Sequence, residues 1–170
     1  ENNTQLSFVG SATIGTDHID LDYLNSKNIR FHSAPGCNAV SVAEYVLSTL
    51  VVLAERYLLD LPSLTVGIVG GGNTGTSLSE KLSALGIKYK ICDPILAEQG
   101  NDERVFVSLA EALACDVVSL HVPKVTTGKY PTFELLNKSN LGLFRDDQIL
   151  INACRGDVID NHALLALKQS

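Results

Sequence analysis

Val66-Gly67-Ile68-Val69-Gly70-Gly71-Gly72-Asn73-Thr74-Gly75 reads as a buried strand running straight into a G-x-G-x-x-G turn and on into a helix. A dinucleotide pyrophosphate can reach backbone N–H groups at a helix N-terminus only where no Cβ stands between them. The pattern assigns Gly70 to the tight turn, Gly72 to the space for phosphates and Gly75 to close packing of the helix on the strand. A glycine cluster after a strand is often just a loop, so the flanking sequence decides. Leu78, Leu82 and Leu85 recur on one helical face that stops at Gly86, a natural C-terminal cap. Ile87 to Cys92 then reads as a second strand ending in Asp93. Strand, turn, helix, strand and acid follow in order, with Asp93 about 20 residues past the glycines, where a carboxylate accepts hydrogen bonds from the adenosine ribose. NAD is expected over NADP, because Asp93 would face the 2′-phosphate and no arginine follows within the next few positions.

Working outward, the 170 residues allow one full domain plus a piece of another. A hydrophobic fraction of 45% and a charged fraction of 19% are ordinary for a soluble globular protein. The net charge of −6 argues against nucleic acid or an anionic membrane as partner, yet leaves room for an anionic cofactor held by helix ends and single arginines. Cys37, Cys92, Cys115 and Cys154 are widely spaced, with no C-x-x-C pair and no histidines at metal spacing. They read as reduced thiols of a cytoplasmic protein that binds no metal. Glu1 to Gln5 lacks the basic or apolar stretch of a signal peptide, and the most apolar window, Val42 to Leu61, is broken by Glu44, Glu55, Arg56 and Asp60. The chain contains no methionine, even at position 1, which suggests an excerpt of a longer protein.

Leu6 to Val9 is expected as a short strand that opens on the polar loop Ser11 to Asp17. Asp20 can cap a helix through Asn25, and Ile29 to His32 reads as another strand. The turn Ser33-Ala34-Pro35-Gly36 sets the expected boundary. Residues 1–36 form the tail of one domain, too poor in apolar surface for a core of their own, and residues 37–170 form a nucleotide-binding domain incomplete at its end. Ser41 and Glu44 have capping-box spacing, so a long helix is expected from there to Pro62, followed by the glycine-motif strand. A polar stretch runs from Pro94 to Glu103, and Ser108 and Glu111 offer a second capping box. Asp116 to Leu120 and Gln148 to Ala153 are apolar with little alternation, as parallel strands covered on both faces should be. Helical structure is expected from Thr132 and again after Asp160 to the end of the chain. The alternation of strands and helices makes the class α/β, a Rossmann-type doubly wound parallel sheet with a fragment of a second α/β domain at the N-terminus.

In such sheets ligands bind at the carboxyl ends of the strands. Asp93, His121-Val122-Pro123 and Arg155 sit there with the glycine turn. Arg155, between a buried strand and Gly156, can aim a planar fork of donors at a carboxylate or carbonyl, or can cap a neighbouring carbonyl at the surface. His121 can serve as a base or as a structural hydrogen-bonder. Cys154 has no histidine placed to activate it. Spacing alone thus gives a nicotinamide-dinucleotide domain with one anion-binding arginine and no secure acid or base.

Phe8-Val9-Gly10-Ser11-Ala12-Thr13-Ile14-Gly15-Thr16-Asp17-His18-Ile19-Asp20, Ala34 to Ala39 with Val42 to Val46, the glycine motif, and Ile151-Asn152-Ala153-Cys154-Arg155-Gly156 resemble the D-2-hydroxyacid dehydrogenases, in collinear order over nearly the whole chain. Gly36-Cys37-Asn38-Ala39, Leu53 to Arg56, Ile91 to Pro94 and Asn152 to Asn161 are most similar to a branch of that family acting on a phosphorylated hydroxy acid. The resemblance implies hydride transfer between C2 of a 2-hydroxy acid and NAD, with Arg155 holding the carboxylate and 2-oxo group. It makes Asp93 the ribose ligand, turns the backbone at Asn73 and Thr74 to the pyrophosphate, and makes Thr13 a substrate residue. Ala153 to Arg155 line the nicotinamide pocket. Val122 replaces a threonine, so only backbone contacts to the cofactor remain there. The family's catalytic glutamate and histidine fall beyond the equivalent of residue 170, so the chain as given is expected to bind NAD and turn nothing over; a homodimer is implied for the full-length protein. A glyoxylate- or phosphoglycerate-type dehydrogenase and a non-catalytic NAD sensor of the same fold remain as alternatives.

Overall fold

The computed structural model describes residues 5–168. Residues 1–4, part of the stretch read as lacking a leader, and the helix end expected at 169–170 lie outside that range. The chain forms two parallel sheets. In the first, β1 (Phe8–Ser11) pairs with β2 (Arg30–Ser33), and the connecting α1 (Leu21–Ser26) starts where the Asp20 carboxylate accepts from the Tyr23 N–H at 2.8 Å. Both strands begin later than expected. The Ile29 N–H donates to Leu24 O at 2.9 Å, so Ile29 closes the helix instead of opening the strand.

The second sheet has the order β4-β3-β5-β6, all parallel, with β3 Thr65–Val69, β4 Lys88–Cys92, β5 Val117–Leu120 and β6 Ile149–Asn152. A single parallel bridge from Phe106 to Ile91 extends it past β4, with the Val107 N–H donating to Ile91 O at 2.8 Å. The chain therefore winds outward from β3 on one side and returns to β5 on the other. That reversal opens a crevice at the carboxyl ends of β3 and β5, where the doubly wound fold takes its ligand. β5 is buried along its whole length, as its unbroken apolar run requires.

Helices cover both faces. On one, α2 (Ala39–Tyr57) and α3 (Asn73–Ala84) pack Val46, Leu50, Leu78 and Leu82 against Val66, Ile68 and Val117. On the other, α5 (Leu109–Leu113), α6 (Lys138–Leu141) and α7 (Asn161–Lys168) close over Val118, Leu120, Leu136 and Val158. Among the described residues no helix is long and apolar enough to cross a membrane.

Several boundaries differ from the sequence expectation. α2 starts at Ala39, not at the Ser41 capping box: Asn38 is its cap, without a side-chain hydrogen bond, and the Ala39 N–H already donates to Gly36 O at 3.1 Å. It ends where Leu58 turns left-handed at φ 54°, before Pro62, which lies in a short 3-10 turn. Leu78 and Leu82 are fully buried, but Leu85 caps the helix end and is 54% exposed. The polar stretch after Asp93 contains α4 (Pro94–Gln99), whose cap is Asp93 itself, accepting from the Leu96 N–H at 3.1 Å. Thr132 to Leu136 form a turn and a bridge from Leu136 to Ile159 instead of a helix, and α6 begins behind the Asn137 cap. The Ser108–Glu111 capping box forms as its spacing predicts, with the Glu111 N–H on Ser108 Oγ at 3.3 Å and the Ser108 N–H on Glu111 Oε2 at 2.9 Å.

Candidate active site

The three glycines of the motif have three different surroundings. Gly70 has φ +103°, and a Cβ there would lie 2.7 Å from His121 O, so the chain can turn off β3 against β5 only with glycine. A Cβ on Gly75 would stand 2.0 Å from Gly70 O, which is backbone and cannot swing away. Gly72 is the opposite: nothing lies within 4 Å of its Cβ position. Gly72 is also the cap residue of α3, which has no side-chain cap. The first-turn N–H groups at Asn73, Thr74 and Gly75 therefore lack an i−4 partner within the helix, at the end that carries the positive helix dipole, and the space over Gly72 in front of them is open. A cavity of about 370 Å³ opens between the starts of α2 and α3, bordered by Pro35, Gly36, Ala39, Asn73 and Thr76 and, farther along α3, by the carboxylate-bearing Glu80. Open room over uncapped N–H groups suits a pyrophosphate, and in that respect the residues fit a dinucleotide.

Asp93, at the end of β4, turns its Oδ2 to the Gly71 N–H at 2.9 Å while Oδ1 caps α4. The carboxylate is pinned beside the glycine turn, and each oxygen keeps a lone pair for a ribose hydroxyl. Val122, just past β5, walls the same turn, with its Cγ1 3.1 Å from the Gly70 Cβ position. Its neighbour His121 places Nε2 2.8 Å from Ser119 Oγ, while Nδ1 is buried without a partner. Burial holds this imidazole neutral, with its pKa pushed down to about 4.

At the end of β6, Asn152 organises the next turn by accepting the Cys154 N–H at 3.0 Å and the Cys154 thiol at 3.1 Å, and by donating to Arg155 O at 2.9 Å. Burial raises the Cys154 thiol pKa, so it is no nucleophile. Ala153 packs against the α2–α3 core. Arg155 projects from this turn to the loop after β1: its Nε donates to both oxygens of Asp17 at 3.2 Å and its Nη2 to Oδ1 at 3.1 Å. That hydrogen bonding lowers the Asp17 pKa. Nη2 lies so close to Gly15 that a Cβ there would be 1.9 Å away, and Thr13 Oγ1 donates to Gly15 O at 3.3 Å. Arg155 and Thr13, far apart in sequence, are thus joined through Gly15.

Two residues at the site escaped the sequence reading. Asp17 sits within a loop read only as polar. Arg104 follows Asp93 at too great a distance for a local pattern, yet it folds back onto the glycine-motif helix, its Nη1 donating to Thr76 Oγ1 at 2.8 Å. No arginine follows Asp93 within the next few positions, and Arg104 reaches the same turn only through the fold.

A parallel sheet with a reversal point, an uncapped helix start over it and a carboxylate on the next strand define a dinucleotide-binding protein. The chain belongs to the D-isomer specific 2-hydroxyacid dehydrogenases: the family's NAD binding domain matches residues 49–170. An erythronate-4-phosphate dehydrogenase of Colwellia psychrerythraea is 71% identical over 98% of this chain, which covers 44% of that protein. Another, of Tolumonas auensis, is 55% identical over 98% of this chain and 44% of its own length. A D-lactate dehydrogenase of Aquifex aeolicus solved with NAD and lactic acid matches with a TM-score of 0.74 at 31% identity, over 96% of this chain and 54% of that one. The chain thus spans less than half the length of these curated relatives.

Proposed function

We propose that the full-length protein oxidises 4-phospho-D-erythronate to its 2-oxo acid with NAD, a step toward pyridoxal 5′-phosphate. The observation that supports this most directly is Arg155, whose guanidinium leaves the end of β6 and already grips a carboxylate, that of Asp17, beside the Thr13 loop. A fork that holds Asp17 is shaped for the carboxylate and 2-oxygen of a hydroxy acid. Thr13 then contacts the substrate. Gly70, Gly72, Asn73, Thr74 and Gly75 take the pyrophosphate, Asp93 the ribose, and the backbone at Val122, Ala153 and Cys154 the nicotinamide end. When bound, the nicotinamide accepts the hydride that leaves C2.

The hydroxyl proton needs an acceptor, and none of the four histidines in this chain suits the role. His121 is buried on Ser119, His32 stacks on Phe8 at 6.0 Å, and His162 lies on the exposed first turn of α7. His18 lies in the loop next to Asp17 and, among the described residues, makes no hydrogen bond that would orient it toward Arg155. We assign the base, with its glutamate, to residues outside these 170. Residues 1–36 belong in this reading to a substrate domain and 37–170 to the NAD domain. A homodimer in the cytoplasm completes this reading, and on α2 the exposed Val40, Val51, Tyr45 and Val52 offer it apolar contacts on either side of the exposed Glu44, Ser48 and Glu55. The test is NADH formation by the full-length protein with 4-phosphoerythronate beside glycerate, lactate and 3-phosphoglycerate. A preference for 4-phosphoerythronate is expected; preference for an unphosphorylated acid refutes the substrate, and NAD binding without turnover of any returns the protein to a sensor.

A further inference from the structure

Arg104 and Asp102 have no part in the proposed reaction, yet they are wired into the glycine turn. The Asp102 carboxylate holds Arg104 through Nε at 2.9 and 3.1 Å and through Nη2, and also accepts the Arg104 N–H at 3.0 Å. This pairing holds the Asp102 pKa down to about 2, so it is ionised at any working pH. Arg104 Nη1 donates to Thr76 Oγ1 at 2.8 Å, and that hydroxyl donates to Gly71 O at 3.1 Å. The Gly71 N–H, on the other side of the same residue, goes to Asp93 Oδ2 at 2.9 Å. The guanidinium lies 5.3 Å over the Phe106 ring, and Phe106 touches the Cβ position of Gly71 at 3.2 Å. Asp93, the ribose carboxylate of the proposed function, and Arg104 thus hold opposite sides of one residue in the turn, and the Asp93 charge acts on Arg104.

We propose that the Asp102–Arg104 pair is a cofactor-specificity device: held by Asp102, Arg104 braces the turn for an unphosphorylated ribose, and released from Asp102 it receives the 2′-phosphate of NADP. Two carboxylates stand here against one guanidinium, so a ribose phosphate carrying nearly two negative charges meets net repulsion. The cation that would hold it is present and already aimed at the turn, with its fork occupied by Asp102. Its side chain is 29% exposed, so incoming anions can reach it. Breaking the one pairing changes both the local charge and the free donors of Arg104, which no substitution at Asp93 alone does.

The inference rests on the dinucleotide reading of the glycine turn, and titrating the full-length protein with NADH and NADPH by nicotinamide fluorescence separates the two. Asp102→Asn should shift the NADPH/NADH affinity ratio toward NADPH by about 10-fold or more, the worth of a gained charge-assisted hydrogen bond. Arg104→Gln should shift it the other way, and the double variant D102N/R104Q should return near the wild-type ratio. Arg104→Lys, which keeps the charge without the fork, should weaken both cofactors with little change in ratio. A purely structural pair would weaken both cofactors alike in every variant, and that result overturns the inference. So does a double variant as tolerant of NADPH as D102N alone, because the gain would then owe nothing to Arg104. A wild-type protein that binds neither cofactor overturns the reading of the turn and this inference with it.

Discussion

Two glycines three residues apart in one turn should fail in opposite ways when given a methyl group. At Gly75 the added Cβ would lie 2.0 Å from Gly70 O, about 1 Å inside any contact a real Cβ tolerates. The obstacle is backbone, so α3 must move off β3 and loosen Leu78 and Leu82, which are fully buried against that strand. Overpacking of this kind costs about 1–3 kcal/mol. A backbone overlap this deep belongs at the upper end of that range, so even after alanine regains up to about 1 kcal/mol of helix propensity a net loss of about 2 kcal/mol remains, a fall in Tm of roughly 4–8 °C for a chain of this size. At Gly72 nothing lies within 4 Å and the backbone, φ −68° and ψ −162°, is open to any residue. Gly72→Ala should leave Tm within about 2 °C of wild type while its methyl group fills the space over the helix start. NAD affinity should fall at least about 10-fold through lost hydrogen bonds to the phosphates. Thermal unfolding by circular dichroism and NADH titration by fluorescence read the two effects separately. If Gly72→Ala binds NADH as wild type does, the phosphates do not come to this turn; if Gly75→Ala is as stable as wild type, the packing argument is wrong.

On the proposed function, Arg155→Ala in the full-length protein should lower kcat/KM by on the order of 100-fold or more, the loss of a bidentate charge-assisted contact worth roughly 3 kcal/mol, with NAD affinity nearly unchanged. Aggregation or loss of NAD binding would make Arg155 structural instead. The half-buried His121 has a folded pKa of about 4 against an ordinary 6.5, so its contribution to stability is complete above pH 6.5 and drains away as pH falls toward 4. Urea unfolding should show a loss of about 2 kcal/mol between pH 7 and pH 5, absent in His121→Gln; an unchanged slope in that variant would assign the loss elsewhere. Ser108→Ala removes both the hydroxyl that caps α5 and its bond to Glu111, and should cost about 1 kcal/mol by the same assay with no effect on cofactor binding.

What was legible in the sequence was local. The glycine turn, Asp93, Val122 and Arg155 each follow a segment readable as a strand, and parallel strands put all such ends along one edge. The S-x-x-E at Ser41 misled because that spacing also occurs inside a helix already under way, and only the Gly36 turn fixes the true start. α4 was hidden because six residues are too few for Ile95, Leu96 and Ala97 to establish a helical period; the Asp93-Pro94 pair, a cap followed by a proline at the first helical position, was the available signal. Arg104 and Asp17 were not legible at all. Their partners Thr76 and Arg155 lie 28 and 138 residues away, and no periodicity records a contact made by folding.

The two halves of the site are built to different rigidity. Around the dinucleotide turn the limiting contacts are backbone on backbone: Cβ positions at Gly67, Gly70 and Gly75 meet carbonyl oxygens at 2.1, 2.7 and 2.0 Å. That half is assembled before any ligand arrives. The Thr13 loop is held far more lightly, by the Arg155–Asp17 pair, by the Cys37 thiol on Ala12 O at 3.0 Å and by the Ala34 N–H on Thr13 O at 3.4 Å. Among the described elements, β1, α1 and β2 pack closely only on one another. With its two side chains 38% and 41% exposed, the ion pair is screened by solvent and holds the loop weakly. On the proposed function, a substrate carboxylate that takes the fork from Asp17 exchanges one charge-assisted contact for another, so the exchange costs little. Arg155 then has an anion in its fork both before and after substrate enters, and its charge is never left without a partner.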